Sequence, residues 1–286
     1  MAKKEIVDKL NDLAYQTRVK LIELSGSYGG TVHIGGDLST TDVLTALYHY
    51  GMNVDPKNIT MPNRDRFILS KGHAAVCMYI VMALRGFYDM DRIFSTYAQL
   101  DSAYGMHPCR VQLPELETST GSLGHGLPIA TGMALKAKRE NQPYRVFCLM
   151  GDGETCEGTV WEAANVASSY NLGNMIGIID RNKQFMTFHS EEGYIKMEPF
   201  GDRWRAFGWN VVEVDGHNMN EIVDAIDALP GVQSDKPTAL ICNTIKGKGI
   251  SFMERVLSYH AAALPKDKVE VCLKELEKTY KGAANG

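Results

Sequence analysis

The chain has 286 residues, of which 44% are hydrophobic and 22% are charged, as is usual for a globular protein. Thirty Lys and Arg residues against 34 Asp and Glu give a formal charge of −4, which excludes the basic footprint of a non-specific nucleic-acid binder. The longest apolar run, 74–84, is shorter than the roughly 20 residues that span a bilayer. Six dispersed cysteines without a Cys-x-x-Cys pair argue against disulfides and zinc. We expect a cytoplasmic protein without membrane or nucleic-acid partners.

The first predicted elements are two helices separated by glycines. Apolar residues spaced three and four apart among charged ones predict an amphipathic helix that ends at about Leu24. A glycine-dense segment follows over 26–36. Ser39 or Thr40 then offers an N-cap for a second helix that reaches Tyr50, since a hydroxyl can accept from the free N–H groups of a first turn.

From residue 66 onward, the pattern predicts alternating strands and helices. The strands are predicted over 66–70, 144–150, 175–179, 209–214 and 238–244, and the helices begin at His73 and cover about 125–139, 157–170, 201–208 and 219–229. Continuous apolar strands separated by helices are typical of a parallel sheet covered on both faces, so the sequence predicts an α/β fold. We expect one domain over 1–286, with about 251–286 as a mainly helical C-terminal appendage.

Polar residues follow two successive predicted strands. Gly151-Asp152-Gly153 come after the strand at 144–150, and Asn182 comes after the next one. One helix and one strand fill the 28 residues between Gly153 and Asn182, so neighbouring parallel strands would bring their tips together, where ligands of such sheets bind. An isolated Asp-Gly is usually a turn. Here the spacing, the glycines and two oxygen donors favour a site for a magnesium-bound diphosphate.

These residues and several other blocks resemble the transketolase family. Gly151-Asp152-Gly153 followed by Asn182 is similar to the thiamine diphosphate signature, and Ser70-Lys71-Gly72-His73-Ala74 matches a segment of the family. Further similar blocks lie at 33–39, 107–108, 117–124 and 246–260, in the family's order, within a resemblance that covers about 5–262. The resemblance implies a thiamine diphosphate-binding (PP-type) domain, a three-layer α/β/α unit with a mainly parallel sheet. Its implied cofactors are thiamine diphosphate and Mg²⁺, or Ca²⁺ or Mn²⁺ in its place.

The same resemblance implies a partner. A full transketolase continues into a pyrimidine-binding domain and a C-terminal domain, whereas this chain ends at residue 286. We therefore expect the N-terminal, diphosphate-binding subunit of a split transketolase. A C-terminal transketolase subunit would supply the pyrimidine-binding domain and the glutamate that activates the aminopyrimidine, most simply in a heterotetramer.

The resemblance also assigns roles to individual residues. The implied metal ligands are Asp152, Asn182 and the main-chain carbonyl of Gln184. The implied cofactor contacts are His73, Gly121, Ser122, Leu123, Gly153, Glu154 and Asn182. The implied catalytic residues are His33, His73, His107, Glu157 and His260. Glu157 matches a glutamate at the dimer interface, His73 would hydrogen-bond the diphosphate or the reacting oxygens, and the other histidines surround the substrate. Imidazoles with a pKa near 6.5 can donate to one oxygen and accept from another at neutral pH.

The chain departs from the family at three places. Gln184-Phe185-Met186-Thr187-Phe188 stands where the family has Leu or Ile and then Asp-Gly, but a main-chain ligand tolerates a changed side chain. His260 is followed by Ala261, whereas the family usually has His-Gly here. His125 replaces a glutamine, and it either contacts cofactor or substrate or caps its helix.

The resulting expectation is a ketol transferase. It would move a two-carbon glycolaldehyde unit from a ketose phosphate to an aldose phosphate through thiamine diphosphate. One alternative is a transketolase-like enzyme for an unusual ketose, such as apulose 4-phosphate or 6-deoxy-6-sulfofructose. Two others are the α-type half of a 2-oxo acid dehydrogenase, whose Glu-Asn-Asn is replaced by Asp180-Arg181-Asn182, and a non-catalytic scaffold subunit.

Overall fold

Five parallel strands form the central sheet of the protein. The computed structural model describes residues 2–186 and 195–281, and a short strand β1 (Thr31–Val32) lies outside this sheet. The strands of the sheet are β2 (Arg66–Leu69), β3 (Val146–Gly151), β4 (Met175–Arg181), β5 (Asn210–Asp215) and β6 (Thr238–Asn243). Their order across the sheet is β2-β3-β4-β6-β5. Each predicted strand is therefore present, with its ends within two residues of the expected positions.

The helices cover both faces of the sheet. They are α1 (Lys3–Tyr28), α2 (Ile34–Ala46), α3 (Ala75–Arg85), α4 (Met90–Thr96), α5 (Gly126–Arg139), α6 (Gly158–Ser169), α7 (Phe200–Ala206), α8 (Met219–Asp227) and α9 (Lys266–Tyr280). The chain crosses from β2 to β5 in one direction and then turns back to β6. Because parallel crossovers are right-handed, this reversal places α8 on the face opposite α5 and α6. The predicted three-layer α/β/α architecture is confirmed.

Each face of the sheet has its own apolar core. Along β3, Phe147 and Leu149 point into the core formed with α1, α2, α3 and α8. Val146, Cys148 and Met150 point into the core formed with α5, α6 and α7. Alternate side chains of a strand face opposite sides, so a strand buried on both sides is apolar throughout. This is why the strands were predictable from the sequence.

The expected start of the second helix is wrong. Helix α2 begins at Ile34, and Ser39 and Thr40 lie inside it, where both hydroxyls bond to the carbonyl of Gly36. Gly35 allows the early start, since a Cβ there would lie 2.6 Å from the Tyr259 carbonyl oxygen. Helix α1 also runs beyond Leu24 to Tyr28, and the next residue, Gly29, has a φ of 69°, the left-handed conformation favoured by glycine.

The C-terminal segment packs on the domain. Helix α9 lies against α1, with Cys272 and Leu276 fully buried, and strand β7 (Ala262–Ala263) pairs with β1. In the described part of the chain, every helix is too short or too polar to cross a membrane. Thr187 and Phe188, where the sequence departs from the family pattern, lie outside the described residues.

Candidate active site

The tips of β3 and β4 lie side by side, as the sequence predicts. Gly151 pairs with Asp180 in the parallel register of the two strands. Asp152 therefore leaves the sheet beside the segment that leads to Asn182. Both side chains are buried, at 2% and 6% exposure, and both line one cavity. The predicted meeting of these two oxygen donors is confirmed.

The Asp152 carboxylate is held by three donors. Its Oδ1 accepts from the Gly153 backbone N–H at 2.8 Å, and its Oδ2 accepts from Arg181 Nη1 at 2.8 Å and from the Lys183 N–H at 2.7 Å. Burial raises the pKa of Asp152, while Arg181 opposes that rise by stabilising the charged form. The carboxylate is thus fixed in one orientation at the strand tip.

Asp180 fixes the orientation of Asn182. The Asn182 Nδ2 donates to Asp180 Oδ2 at 2.8 Å, and its Oδ1 accepts from the Gln184 N–H at 3.0 Å. Asp180 Oδ2 also accepts from Lys71 Nζ at 2.6 Å and Ser39 Oγ at 2.7 Å. Burial raises the pKa of Asp180, but Lys71 outweighs it and holds the pKa below its usual value. Since a carboxylate only accepts, the Asn182 oxygen must face the Gln184 loop.

These residues fit a divalent cation that carries a diphosphate. Asp152, Asn182 and the Gln184 carbonyl supply hard oxygens, and Mg²⁺ prefers such donors together with phosphate oxygens. A Cβ added at Gly151 would meet no protein atom within 4 Å, so the backbone there borders open space in the cavity. Among residues 2–186 and 195–281, no group of three or more His, Cys, Asp or Glu side chains is arranged to hold a metal ion.

Glu154 has a contact that the sequence did not indicate. Its role as a backbone donor stays a prediction, but its buried side chain accepts from the Gly124 N–H at 2.9 Å, the Gly151 N–H at 3.1 Å and the Ser70 hydroxyl. Burial raises the pKa of Glu154, and the bond from Ser70 opposes it. Glu154 thereby ties the tips of β2 and β3 to the start of α5.

The four predicted histidines form one cluster. The His33 ring centroid lies 5.3 Å from that of His73, 5.9 Å from His107 and 5.6 Å from His260. Burial lowers the pKa of His33 to about 4 and that of His260 to about 3, and it also lowers the pKa of His73 and His107. All four are therefore neutral at pH 7, and each ring can donate one hydrogen bond and accept another.

Two buried lysines, Lys71 and Lys246, lie beside the histidine cluster. The sequence analysis did not name either lysine as a site residue. Lys71 pairs with Asp180, and Lys246 Nζ donates to the Gln184 carbonyl at 3.3 Å and to His260 Nδ1 at 2.8 Å. Burial, followed by repulsion from Lys71, lowers the pKa of Lys246 to about 8. These cations face the same space as the oxygen donors. Both belong to blocks that resemble the family, which was the available signal.

The site residues surround a cavity of about 490 Å³. The sequence-predicted residues that line it are His33, His73, His107, Gly121, Leu123, Asp152, Gly153, Glu154, Glu157, Asn182, Gln184 and His260. Ser122 is exposed and does not line it. His125 stands at the N-cap of α5 without a side-chain capping bond and borders a separate groove between α5 and α6. The catalytic, cofactor and metal roles of these residues stay predictions.

The parallel sheet, covered by helices on both faces, presents oxygen donors, glycines and buried cations at neighbouring strand tips, an arrangement that suits the binding of a diphosphate. Residues 14–280 match the family described as "Transketolase, thiamine diphosphate binding domain". The chain belongs to this family.

Curated relatives agree with this assignment. The chain is 39% identical over 244 residues to a subunit of the apulose-4-phosphate transketolase of Phocaeicola vulgatus, covering 85% of each chain. It is 39% identical over 249 residues to "6-deoxy-6-sulfo-D-fructose transketolase subunit SqwG" of a Clostridium species, covering 87% of this chain and 90% of the relative. Among solved structures, transketolase from Campylobacter jejuni superposes with a TM-score of 0.83 at 28% identity. That match covers 97% of this chain but 43% of the solved one.

Proposed function

We propose that this chain is the N-terminal subunit of a two-subunit transketolase, which transfers a two-carbon ketol unit from a ketose phosphate to an aldose phosphate. The observation that carries the proposal is the shared cavity. Its lining includes both the oxygen donors Asp152 and Asn182 and the imidazoles of the histidine cluster. The groups that would hold a metal-bound diphosphate and those that would act at sugar hydroxyls thus line the same cavity.

Thiamine diphosphate and Mg²⁺ are the proposed cofactors. When bound, thiamine diphosphate supplies the nucleophilic carbon and the electron sink for breaking a carbon–carbon bond next to a carbonyl. Asp152, Asn182 and the Gln184 carbonyl would hold the metal ion. Lys71 and Lys246 stabilise negative charge in the same space, since they are the buried cations that face it.

The histidines are proposed to move protons at the substrate. Transfer of a ketol unit requires removal of a proton from one hydroxyl and delivery of a proton to another oxygen. His33, His73, His107 and His260 lie within one cluster, and burial lowers the pKa of each, so the neutral rings can donate a hydrogen bond to one substrate oxygen and accept one from another at pH 7.

A C-terminal transketolase subunit is the proposed partner, in a heterotetramer. The names of the Phocaeicola and Clostridium relatives describe them as subunits, which supports a divided enzyme. We place two copies of this chain against each other through the groove between α5 and α6. Glu157, which resembles a family interface residue, N-caps α6, and Glu162 and Val166 of the same helix line that groove.

A second class of ketose is also a candidate substrate. The two relatives are named for apulose 4-phosphate and for 6-deoxy-6-sulfo-D-fructose, and each is 39% identical to this chain. An unusual ketose of this kind is therefore a specific alternative to a common ketose phosphate.

The test uses this chain mixed with a C-terminal transketolase subunit from the same organism. Ketol transfer to an aldose phosphate is measured with a panel of ketose phosphates, apulose 4-phosphate and the sulfonated fructose as donors. We expect activity from the pair and none from either polypeptide by itself. Activity of this chain without its partner would contradict the divided enzyme. Calorimetry that finds no thiamine diphosphate binding by the pair with Mg²⁺ present would instead assign a scaffold role.

A further inference from the structure

A buried hydrogen-bond chain connects helix α1 to the loop that carries Lys246. Arg18, fully buried in α1, donates from Nη1 and Nη2 to the two oxygens of Asp42 at 2.8 and 2.6 Å. Asp42 Oδ2 lies 2.8 Å from His217 Nδ1, and His217 Nε2 accepts from the Ile245 N–H at 2.8 Å. His217 itself follows β5 and does not line the catalytic cavity. This series of hydrogen bonds ends at Ile245, one residue before Lys246.

The contacts of His217 determine its tautomer. A backbone N–H can only donate, so the Nε2 that receives it carries no proton. The other nitrogen, Nδ1, therefore carries the proton and donates it to Asp42. Burial raises the pKa of Asp42, but Arg18 and then His217 outweigh it, so this carboxyl stays ionised. His217 is a neutral ring held between a fixed acceptor and a fixed donor.

The Ile245 bond acts on the backbone that positions Lys246. Around it, the Thr244 N–H donates to the Arg181 carbonyl at 3.1 Å and the Gly247 N–H donates to the Gly35 carbonyl at 3.0 Å. The backbone N–H groups of Thr244, Ile245 and Gly247 are thus held by β4, by the loop after β5 and by α2, respectively. Lys246 extends from this anchored backbone to the Gln184 carbonyl and His260. A shift of the Ile245 peptide would move the ammonium group within the cavity.

We propose that His217 is a positioning residue for Lys246, acting through the Ile245 N–H. The proposal rests on the proposed function, because it assumes that Lys246 faces the cofactor's phosphates. A purely structural role predicts something different. In that case, loss of His217 lowers thermal stability and leaves the affinity for the cofactor unchanged.

The first test measures thiamine diphosphate affinity by calorimetry, with Mg²⁺, in the complex of both subunits. In His217→Asn the amide nitrogen can still reach Asp42, but the Ile245 N–H loses its acceptor. In His217→Gln the amide oxygen can reach the position of Nε2. Removing an outer contact of this kind typically weakens binding by about 10- to 100-fold. We expect about tenfold weaker binding for His217→Asn and near wild-type binding for His217→Gln. Equal affinity in all three proteins would overturn the proposal.

A double-mutant cycle separates action through Lys246 from general destabilisation. We expect His217→Asn to weaken binding in the wild-type background but to add no further loss in the Lys246→Met background, because coupled residues are non-additive. Full additivity contradicts the proposal. His49→Asn is the matched control, since His49 is a half-buried histidine away from the cavity. It should lower the melting temperature without changing affinity.

A spectroscopic readout does not depend on the cofactor. In ¹⁵N spectra of the wild-type chain, we expect His217 to show a protonated Nδ1 and an unprotonated Nε2, and the Lys246 Nζ signal to shift in His217→Asn. An unshifted Lys246 signal overturns the proposal. If the wild-type complex binds no thiamine diphosphate yet this shift occurs, the proposed function fails while the positioning role stands.

Discussion

At the scale of single residues, charge placement dominates the site. The Asp152–Arg181 and Asp180–Lys71 pairs are both nearly inaccessible to solvent. A buried charge without a partner costs several kcal/mol, and here a cation and hydrogen-bond donors stabilise the charged form of each carboxylate. Arg181 also pairs with Glu198, which links the strand tip to the start of α7. A divalent cation near Asp152 therefore enters an already balanced network of fixed charges.

The first prediction concerns the charge of Asp152. Asp152→Asn keeps the size of the side chain but removes its negative charge, so Mg²⁺-dependent binding of thiamine diphosphate should weaken by more than about tenfold. Calorimetry on the complex of both subunits measures this loss. Asp65→Asn is the matched control, because Asp65 is equally buried and pairs with Arg145 at 2.8 Å, at the far end of β3. The control should lose stability and keep its affinity; unchanged binding in Asp152→Asn removes this residue from the metal site.

The second prediction concerns the pH dependence of stability. Folding lowers the pKa of His33 from about 6.5 to about 4 and that of His260 to about 3, mainly through burial. Between these values the unfolded chain binds more protons than the folded one, so stability falls as pH decreases from 6.5 toward 4. In His33→Asn this fall should be shallower. Urea unfolding at pH 7.5 and pH 5 measures it, and parallel losses in the variant and the wild type would contradict the shift.

Residue types and spacing were enough to locate the site but not its internal contacts. Asp152 and Asn182 were predictable because each follows an apolar strand, and strand adjacency brings them together. The partners of these residues were not, because Arg181 with Asp152 and Lys246 with His260 meet only through tertiary packing. His217 illustrates the limit most clearly. Its role depends on Asp42 and Ile245, which lie 175 and 28 residues away.

At the scale of secondary-structure elements, glycines that allow close contact with neighbouring segments determine how α2 and α5 pack. Strand bounds were predictable because buried parallel strands are apolar at every position. The start of α2 was not, since Gly35 and Gly36 resemble a loop in sequence but pack inside a helix. The same kind of contact occurs at Gly126, the first residue of α5. Its N–H donates to Ser70 Oγ at 3.1 Å, and a Cβ there would lie 2.8 Å from the Ser70 Cα.

The third prediction tests this contact between α5 and β2. Gly126→Ala should destabilise the chain by about 1–3 kcal/mol, because the added methyl group must push the helix away from Ser70. Gly158→Ala is the matched control. Gly158 is the first residue of α6, and a Cβ there would meet no atom within 4 Å. Its substitution should change stability by less than about 0.5 kcal/mol. Denaturant unfolding of both variants measures the difference, and equal effects would show that α5 can move freely.

At the scale of the whole molecule, the two helical layers differ in what covers them. Helix α9 packs over α1 on one side, whereas the groove between α5 and α6 on the other side is open and mainly apolar. Val166 lines this groove and remains 41% exposed, and Ile129 on α5 is 37% exposed. This face continues from Glu157 at the cavity to the end of α6. An interface at this groove would therefore connect two catalytic sites through one pair of helices.

The fourth prediction tests that interface in the complex of both subunits. Val166→Asp places a charge in the proposed contact between two copies of this chain, where it would be buried without a partner. We expect sedimentation to show a particle of half the wild-type mass, a heterodimer in place of the heterotetramer. Val271→Asp on α9 is the matched control, because Val271 is 48% exposed on the opposite layer. It should leave the mass unchanged. A heterotetramer that persists in Val166→Asp would place the contact between copies elsewhere on the chain, because a buried carboxylate without a partner would strongly weaken an interface at that position.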